Sequence, residues 1–301
     1  MNGIEAAGLG KRYRSRWALR DCNLRVPRGR IVALVGPNGS GKTTLLHLAA
    51  GLIRPTEGVI SIEGAIPGRD PGLVRKVGLV AQDVPLYTGF TVSETLELGR
   101  RLNRRWDDAI ARSRLDQLGI PEGQRVGELS GGQRAQVALA LALGKRPEVL
   151  LLDEPLANLD PLARRSFMQT LLDSATDTNL TVVLSSHLVA DLERTCDYLI
   201  LLASSRVQVA GDIDELLRAH RVLTGARSDV THIDGVASVV EEQHTERQTS
   251  LLVRTDGPIR DPSWSSESLS LEELVLAYLG HPGATALPPP RVAAGAGRVV
   301  S

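Results

Sequence analysis

The residues from 36 to 43, GPNGSGKT, combine glycines, a lysine and a hydroxyl side chain at the spacing of a phosphate-binding loop. The glycines allow a tight turn in which consecutive backbone N–H groups point inward at phosphate oxygens. Lys42 can reach the β- and γ-phosphates of a nucleotide, and the Thr43 hydroxyl can ligate Mg²⁺. We therefore predict a site for a nucleoside triphosphate and Mg²⁺. Its residues are Gly36, Pro37, Asn38, Gly39, Ser40, Gly41, Lys42, Thr43 and Thr44.

Two adjacent carboxylates, Asp153 and Glu154, follow the apolar run that begins at Val149. Side chains alternate between the two faces of a strand, so neighbouring acids at its end can take different roles. We expect Asp153 to hold the Mg²⁺ ion and Glu154 to polarise an attacking water. Two solvated acids closing a strand are the ordinary alternative. Beside a phosphate loop, however, the pair favours hydrolysis over binding alone.

Short apolar runs that must hold these residues alternate with helical patterns along the first 220 residues. The run 30–36 precedes the phosphate loop as a buried strand, and 42–50 has helical character. The other runs typical of strands are 58–64, 73–81, 148–154, 180–186 and 198–203, and the other helical patterns are 133–144, 162–173 and 188–194. This alternation predicts an α/β fold with a parallel sheet covered on both faces. The almost wholly helical insertion at about 91–145 is expected to form a subdomain.

The composition excludes several classes of protein. The chain has 301 residues, with 35 Lys and Arg against 35 Asp and Glu, so it lacks the basic excess of proteins that bind nucleic acid. Cys22 and Cys196 stand far apart without a CxxC or His/Cys cluster, so neither a disulfide scaffold nor a metal cluster is expected. The longest apolar stretch, 137–143, is far too short to span a membrane.

The composition changes after about His220. Residues 221–280 contain ten acidic residues against five arginines, with β-like runs followed by an amphipathic helical pattern at 268–280. This region is predicted to form a small appended α+β domain. The final stretch, 281–301, is rich in Pro and Gly and has no acidic residue, so we expect it to be disordered.

The sequence LSGGQ, which ends at Gln133, lies 20 residues before Asp153. Together with the phosphate loop and the acidic pair, it makes residues 3–220 resemble the ATP-binding subunit of an ABC transporter. The resemblance implies a P-loop ABC cassette with a mostly parallel β-sheet core, a helical subdomain inserted at about 91–145 and a small C-terminal α+β appendage. The domains are then 1–220 for ATP binding, 221–280 as an accessory domain and 281–301 as a tail.

The resemblance also implies that part of the site is completed by a second subunit. In the family, the LSGGQ residues close on the γ-phosphate held by the other cassette, so that two cassettes enclose two ATP molecules. A loop matching Asn158, Leu159 and Asp160 communicates across that dimer. The LSGGQ residues that match here are Ser130, Gly131, Gly132 and Gln133.

Three further positions match family residues around the nucleotide. Gln82 matches the glutamine that contacts Mg²⁺ and the water, and His187 matches the switch histidine that contacts the γ-phosphate. Tyr13 matches the aromatic residue that stacks on adenine, with Trp17 as a rival. Many members carry additional arginines where this chain has Gln136 and Leu141; the resemblance implies altered helix contacts there, with the ATP chemistry preserved.

The partners implied by the resemblance are a separate membrane permease and a second ATP-binding subunit, identical or different. The chain is then expected at the cytoplasmic face of the cell membrane. The appended region and its ending at 270–280 resemble the drug-resistance and multidrug export (ABC-2 type) branch, which favours export. An importer subunit is the alternative.

Two other classes are disfavoured. A soluble ABC ATPase of translation or repair would have a second cassette with a basic linker, or long heptad coils; here only 111 residues separate Lys42 from Asp153 and the net charge is +0. A small-molecule kinase has no use for LSGGQ.

Overall fold

The described part of the chain folds into three sheets and their covering helices. The structure is a computed structural model that describes residues 2–157, 159–187, 189–190, 192–227 and 233–287. In chain order the strands are β1 (Asn2–Tyr13), β2 (Arg16–Pro27), β3 (Ile31–Val35), β4 (Glu57–Ile62), β5 (Val77–Val80), β6 (Val149–Leu152), β7 (Thr181–Ser186), β8 (Tyr198–Ala203), β9 (Arg206–Asp212), β10 (His220–Ala226), β11 (Val236–His244), β12 (Gln248–Thr255) and β13 (Ser265–Glu267). The α-helices are α1 (Lys42–Ala49), α2 (Val92–Leu102), α3 (Asp108–Gln117), α4 (Gly131–Gly144), α5 (Pro161–Thr178), α6 (Ile213–Arg218) and α7 (Leu271–Gly280).

A six-stranded sheet in the order β5-β6-β7-β3-β8-β9 lies at the centre of the fold. Its neighbouring strands are parallel except for the antiparallel pair β8 and β9 at one edge. Every residue of β3, β6, β7 and β8 is buried, because α4 and α5 pack on one face while α1 and the N-terminal strands pack on the other. The parallel sheet predicted from the apolar runs is therefore confirmed.

Three adjacent strands of this sheet bring the predicted chemistry to one edge. β3 leads into the phosphate loop, β6 leads into Asp153 and Glu154, and β7 leads into His187. Because the three strands are parallel, their carboxyl ends meet at the same edge, which is where open α/β sheets bind ligands.

The N-terminal strands form a separate antiparallel sheet in the order β2-β1-β4. The sequence shows this region only as short apolar runs, although β1 and β2 are 12 residues long. The pairing of β1 with β2 shifts register at several points, one of them beside Gly8, whose φ is 54°. Bulges of this kind break the alternation of apolar and polar residues, so the strand signal in the sequence is weak.

Helices α2, α3 and α4 form the helical subdomain expected at about 91–145. α2 starts with a capping box, in which the Thr91 side chain accepts from the Glu94 backbone and the Glu94 side chain accepts from the Thr91 backbone. The three helices share a core whose central residues, Val92, Leu115 and Val137, have no exposed surface. α4 starts at Gly131, slightly before the predicted 133.

The α+β appendage expected after residue 220 consists of a four-stranded antiparallel sheet, β11-β12-β10-β13, and helix α7. The sheet has a small core of its own around Leu223, Leu251 and Val253, all fully buried. α7 packs elsewhere: its residues Leu271 and Leu274 belong to the main core of the chain, together with α4 and α5.

The expectation of disorder from 281 onward is wrong for its first residues. The Ala286 amide donates to the Gln208 carbonyl at 2.8 Å, and the Ala210 amide donates to the Ala286 carbonyl at 3.0 Å. Ala286 is consequently buried, because it pairs with the otherwise free edge of β9. Composition misleads here because Pro and Gly disfavour a regular element without preventing a short edge contact. The rest of the predicted tail, 288–301, lies outside the described residues.

Two predicted elements also differ from the structure. Within the expected strand 73–81, the residues Leu73–Arg75 form a single 3₁₀ turn and only Val77–Val80 pair in the sheet. The helix expected at 188–194 falls partly outside the described residues, and its described part forms turns around Leu192. Within the described ranges, no helix has both the length and the apolar character needed to cross a membrane.

Candidate active site

A cleft of about 560 Å³ opens at the carboxyl edge of the central sheet. Its walls come from the N-terminal sheet, the phosphate loop, the loop after β5 and the ends of β6 and β7. The lining residues are Tyr13, Arg16, Ala18, Asn38, Gly39, Gly41, Lys42, Thr43, Thr44, Gln82, Glu154 and His187. Ten of these were predicted as site residues from the sequence. Arg16 and Ala18 were not.

The phosphate loop takes its shape because side chains are excluded at two of its glycines. A Cβ atom on Gly36 would lie 2.1 Å from the Leu202 carbonyl oxygen, and one on Gly41 would lie 2.5 Å from the Ala18 carbonyl oxygen. Gly41 also has a φ of 110°, which favours glycine. Gly41 caps α1 without a side-chain hydrogen bond, so the first turn of that helix keeps N–H groups available for an anion.

Lys42 is buried at the centre of this loop. Its Nζ donates to the carbonyl oxygens of Gly36 at 2.8 Å and Pro37 at 3.3 Å, and lies 3.5 Å from the Glu154 Oε1. Gly36, Pro37 and Ser40 are not among the lining residues of the cleft but shape the loop from behind. The Ser40 hydroxyl is buried and has no hydrogen-bond partner among the described residues. The ammonium group and the uncapped N–H groups at the start of α1 fit a phosphate ligand.

The two carboxylates after β6 occupy different environments, as expected. Asp153 is buried with 3% of its surface exposed, and its Oδ1 accepts from the Ser185 hydroxyl at 2.8 Å. The Glu154 amide donates to the same Ser185 hydroxyl at 2.8 Å. Glu154 has a φ of 45°, an unusual value for a non-glycine residue, and this conformation points its side chain into the cleft. There its Oε2 lies 3.1 Å from the His187 Nδ1.

Tyr13 and Gln82 both line the cleft. Tyr13 ends β1, is about half exposed, and has the Lys11 ammonium 5.3 Å from its ring centroid. Its rival Trp17 does not line the cleft but packs against Gly10 and the Arg12 guanidinium. Gln82 follows β5 and is exposed. The structure therefore favours Tyr13 over Trp17 as the aromatic wall.

Arg16 adds a positive charge that the sequence analysis missed. It begins β2, directly after the turn that follows Tyr13, and lies opposite Gly39 of the phosphate loop. The sequence signal for this residue was its basic side chain three positions after Tyr13. The signal is weak on its own, because the pairing of β1 with β2 is what turns Arg16 toward the cleft.

The remaining predicted residues lie apart from this cleft, at the starts of α4 and α5. Ser130 caps α4 in a capping box with Gln133, and Asp160 caps α5 by accepting from two backbone amides at 3.0 Å. The two helix starts are neighbours, since a Cβ on Gly132 would lie 3.1 Å from the Ala163 Cβ. Ser130, Gly131, Gly132, Gln133 and Asp160 thus form one surface that does not line the cleft. Asn158 lies outside the described residues.

Comparison with known proteins decides the family. The family model described as ABC transporter matches residues 19–157. The ABC transporter ATP-binding protein YtrB of Bacillus subtilis (strain 168) is 30% identical over 289 residues, which cover 92% of this chain and 98% of that protein. The chain belongs to the ABC transporter family, as an ATP-binding subunit.

Two further relatives support the fold and the activity of this ABC subunit. The thiamine import ATP-binding protein ThiQ of Salmonella choleraesuis (strain SC-B67) is 37% identical over 219 residues, covering 70% of this chain and 92% of ThiQ. The cassette MJ0796, solved as a dimer in a post-hydrolysis state with ADP and Pi, is 28% identical with a TM-score of 0.63, covering 70% of this chain and 98% of that one. This ABC subunit is accordingly an ATPase, which binds and hydrolyses ATP.

A second concave surface of the ABC subunit lies between the central sheet and the helical subdomain. This groove of about 440 Å³ is largely apolar and includes Leu52, Val84 and Leu86 on one side and Leu141 of α4 on the other. Leu141 is one of the two positions where many ABC subunits carry arginine. The other, Gln136, is buried and its Nε2 lies 3.4 Å from the Ser166 hydroxyl of α5, away from the cleft.

Proposed function

We propose that this ABC ATPase energises export through a separate membrane permease, by closure of two ATP-binding subunits around ATP. The observation that carries the catalytic part is the position of Glu154. Its carboxylate lies in the cleft between the Lys42 ammonium and the His187 ring, at 3.5 Å and 3.1 Å. A carboxylate so placed beside a phosphate loop can accept a proton from a water that attacks the γ-phosphate.

The residues of the cleft divide this chemistry among them. Lys42 and the N–H groups of the loop and of α1 bind the β- and γ-phosphates, and Tyr13 stacks on the adenine. When the triphosphate is bound, its oxygens offer Lys42 and His187 anionic partners that replace Glu154. The Glu154 carboxylate is then released to orient the water, and His187 contacts the γ-phosphate.

Mg²⁺ would be held by the oxygens of Thr43, Gln82 and Asp153 and would neutralise charge on the phosphates. Thr43 and Gln82 line the cleft, and Asp153 lies directly before Glu154. Hydroxyl, amide and carboxylate oxygens suit this hard cation. Among the described residues, no three His, Cys, Asp or Glu side chains gather into a group that could hold a metal ion, so the proposed Mg²⁺ site is a mixed one.

We propose that the surface containing Ser130 and Asp160 acts on the nucleotide of the second subunit. The support is its separation from the cleft of its own chain, combined with its position at the N-terminal ends of α4 and α5, whose dipoles favour an anion. MJ0796, solved as a dimer, is consistent with such pairing in a related cassette. Whether the second subunit is identical or different, the same two surfaces would meet.

The groove between the sheet and the helical subdomain is the surface we propose for the permease. It lies directly after β5 and Gln82, so a movement at the nucleotide can reach it through the loop 82–90. An apolar groove of this size suits a short helix from a membrane protein. The subunit would then work at the cytoplasmic face of the membrane.

Export is the direction we propose, because the appended region resembles the extension of the drug-resistance and multidrug export branch. The alignment with the importer subunit ThiQ covers 70% of this chain, whereas that with YtrB covers 92%. The longer match extends into the appended region, and the shorter one leaves much of the chain unmatched. Import is the alternative that the experiment below also addresses.

A pull-down from detergent-solubilised membranes of the source organism tests this function. A tagged Glu154→Gln chain with MgATP should recover a multi-spanning membrane protein. Leu52→Asp, which charges an exposed residue of the groove, should abolish that recovery, while Leu102→Asp, also exposed but outside the groove, should not.

Recovery of ribosomes, nucleic-acid proteins or the chain alone would contradict the transport function. A solute-binding protein from outside the cell in the recovered complex would contradict export and favour import. The permease itself would narrow the class of transported compound.

A further inference from the structure

Helix α7 of the appended domain reaches the ATP site. A small cavity of about 220 Å³ lies between α7 and two of the loops that form the active cleft. Gly36 and Pro37 of the phosphate loop line it on one side, and His187 lines it on another. Val275 and Leu279 of α7 close the third. The appended domain therefore stands directly behind the groups that face the nucleotide.

A hydrogen bond joins the start of α7 to the segment 192–196, which follows His187 in the chain. The Leu271 amide donates to the Glu193 Oε1 at 3.2 Å. A carboxylate at this position also interacts favourably with the N-terminal end of the helix. Within the segment, the amides of Thr195 and Cys196 donate to the Leu192 carbonyl at 3.0 Å and 2.8 Å, so Glu193 lies inside a closed turn.

The contact of α7 with the ATP-binding part of the chain is deeply buried. Leu271, Leu274 and Val275 expose 1% of their surface or less, and they share one hydrophobic core with Val35, at the end of β3, and Leu192. Close-packed residues of this kind hold the start of α7 in a fixed position relative to β3 and Leu192.

The other end of α7 is bound to the appended sheet. The Tyr278 hydroxyl lies 2.8 Å from the Nε2 of His220, the first residue of β10, and both side chains are buried. α7 is thus the physical connection between the four-stranded sheet and the loops around the ATP phosphates.

We propose that α7 is a positioning element for ATP hydrolysis, acting in its own chain through Val275, Leu279 and Glu193. It packs against His187 and the phosphate loop and anchors the segment 192–196 through Glu193, so that His187 stays in the cleft within reach of the γ-phosphate. The inference rests on the proposed roles of Glu154 and His187. Loosening α7 should lower kcat more than it changes KM for ATP, because most groups that bind the phosphates belong to the loop and α1, whereas His187 depends on the held segment.

Steady-state ATP hydrolysis by the full chain tests this inference. Val275→Ala and Leu279→Ala should each lower kcat by about tenfold or more, with KM changed less than about twofold, since a misplacement of about 1 Å in a catalytic group can cost about 100-fold. Val275→Ile and Leu279→Met, made in the parent chain, should keep the parent kcat. The cavity beside Val275 has room for the added volume of Ile, and Met matches Leu in size.

The matched control is Val253→Ala. Val253 is as deeply buried as Val275 but lies in the separate core of the appended sheet. Its substitution should lower the thermal stability of the chain without lowering kcat. A parent kcat in both Val275→Ala and Leu279→Ala would overturn the proposal. An equal loss of kcat in Val253→Ala would also overturn it.

Glu193 offers a second test at an exposed position, where substitution leaves the core intact. Glu193→Ala should lower kcat and speed amide hydrogen exchange at Thr195 and Cys196, and Glu193→Gln, which keeps an acceptor oxygen, should restore both. Glu246→Ala, at an exposed turn of the appended sheet, is the control and should change neither. Unchanged exchange and kcat in Glu193→Ala would overturn the proposal.

A Glu154→Gln chain distinguishes a failure of the proposed role of Glu154 from a failure of the proposed role of α7. Parent activity in that variant would remove the proposed role of Glu154 and of the cleft. An inactive Glu154→Gln chain alongside fully active α7 variants would overturn only the positioning role of α7.

Discussion

At the scale of single residues, the cleft is organised around one carboxylate. Glu154 is held by its backbone, through the hydrogen bond from its amide to Ser185, while its side chain faces Lys42 and His187. The adjacent Asp153 is buried and accepts from the Ser185 hydroxyl. Adjacent acids at the end of a strand therefore have separate surroundings, and only Glu154 can meet a water in the cleft.

Replacing this carboxylate should abolish hydrolysis without abolishing binding. Glu154→Gln keeps the size of the side chain but cannot accept the proton, so we expect kcat for ATP to fall by about 100-fold or more. ATP binding, measured by fluorescence of a labelled nucleotide, should remain. Glu148→Gln, at the opposite end of the same strand, is the control and should keep the parent rate. A parent rate in Glu154→Gln would exclude Glu154 as the base.

At the scale of secondary-structure elements, the N-terminal ends of three helices lie on two surfaces of the chain. α1 presents uncapped N–H groups to its own cleft, because Gly41 has no side chain to satisfy them. α4 and α5 start side by side on a different surface, with Ser130 and Asp160 as caps. Under the proposed function, one chain therefore carries both halves of an ATP site without joining them.

Blocking the start of α4 should separate these two halves. In the Glu154→Gln background, Ser130→Arg should leave ATP binding by the single chain unchanged but prevent the ATP-dependent dimer seen by size-exclusion chromatography. The arginine is too large for a surface that closes on a phosphate. Ser130→Thr keeps the capping hydroxyl and should still form the dimer. A dimer of normal stability in Ser130→Arg would mean that this surface is not used between subunits.

At the scale of the whole molecule, a buried histidine joins the ATP-binding part to the appended domain. The Nδ1 of His220 lies 2.7 Å from the Leu216 carbonyl oxygen of α6, and its Nε2 lies 2.8 Å from the Tyr278 hydroxyl of α7. Burial lowers the pKa of His220 below its ordinary value of 6.5, and the nearby Arg254 lowers it further. The neutral ring, with one donor and one acceptor, satisfies both neighbours.

This histidine should make the stability of the molecule depend on pH. Because the folded-state pKa is lowered, the unfolded chain binds more protons, so stability is fully present above about pH 6.5 and is lost as pH falls below that value. Thermal unfolding should show a lower midpoint at pH 5.5 than at pH 7.5. His220→Gln should reduce this difference, whereas His244→Gln, at an exposed position, should keep it. An equal pH dependence in His220→Gln and the parent would contradict the assignment.

The sequence by itself determined the candidate residues for the chemistry and the sheet that carries them. GPNGSGKT, the acidic pair and LSGGQ are local patterns whose physical constraints, tight turns and helix starts, are satisfied within a few residues. The apolar runs predicted β3, β6, β7 and β8 because strands buried on both faces are apolar throughout. Tyr13, Gln82 and His187 were predicted through the family resemblance, and they line the same cleft.

Only the tertiary structure decided how distant segments meet. It turned Arg16 into the cleft through the pairing of β1 with β2, and it separated Ser130 from Lys42 by placing their helices on different surfaces. It also packed Ala286 on β9 and laid α7 behind the phosphate loop. Such contacts join residues that are far apart in the chain, and they depend on the summed packing of whole elements. No local pattern of residues encodes that sum.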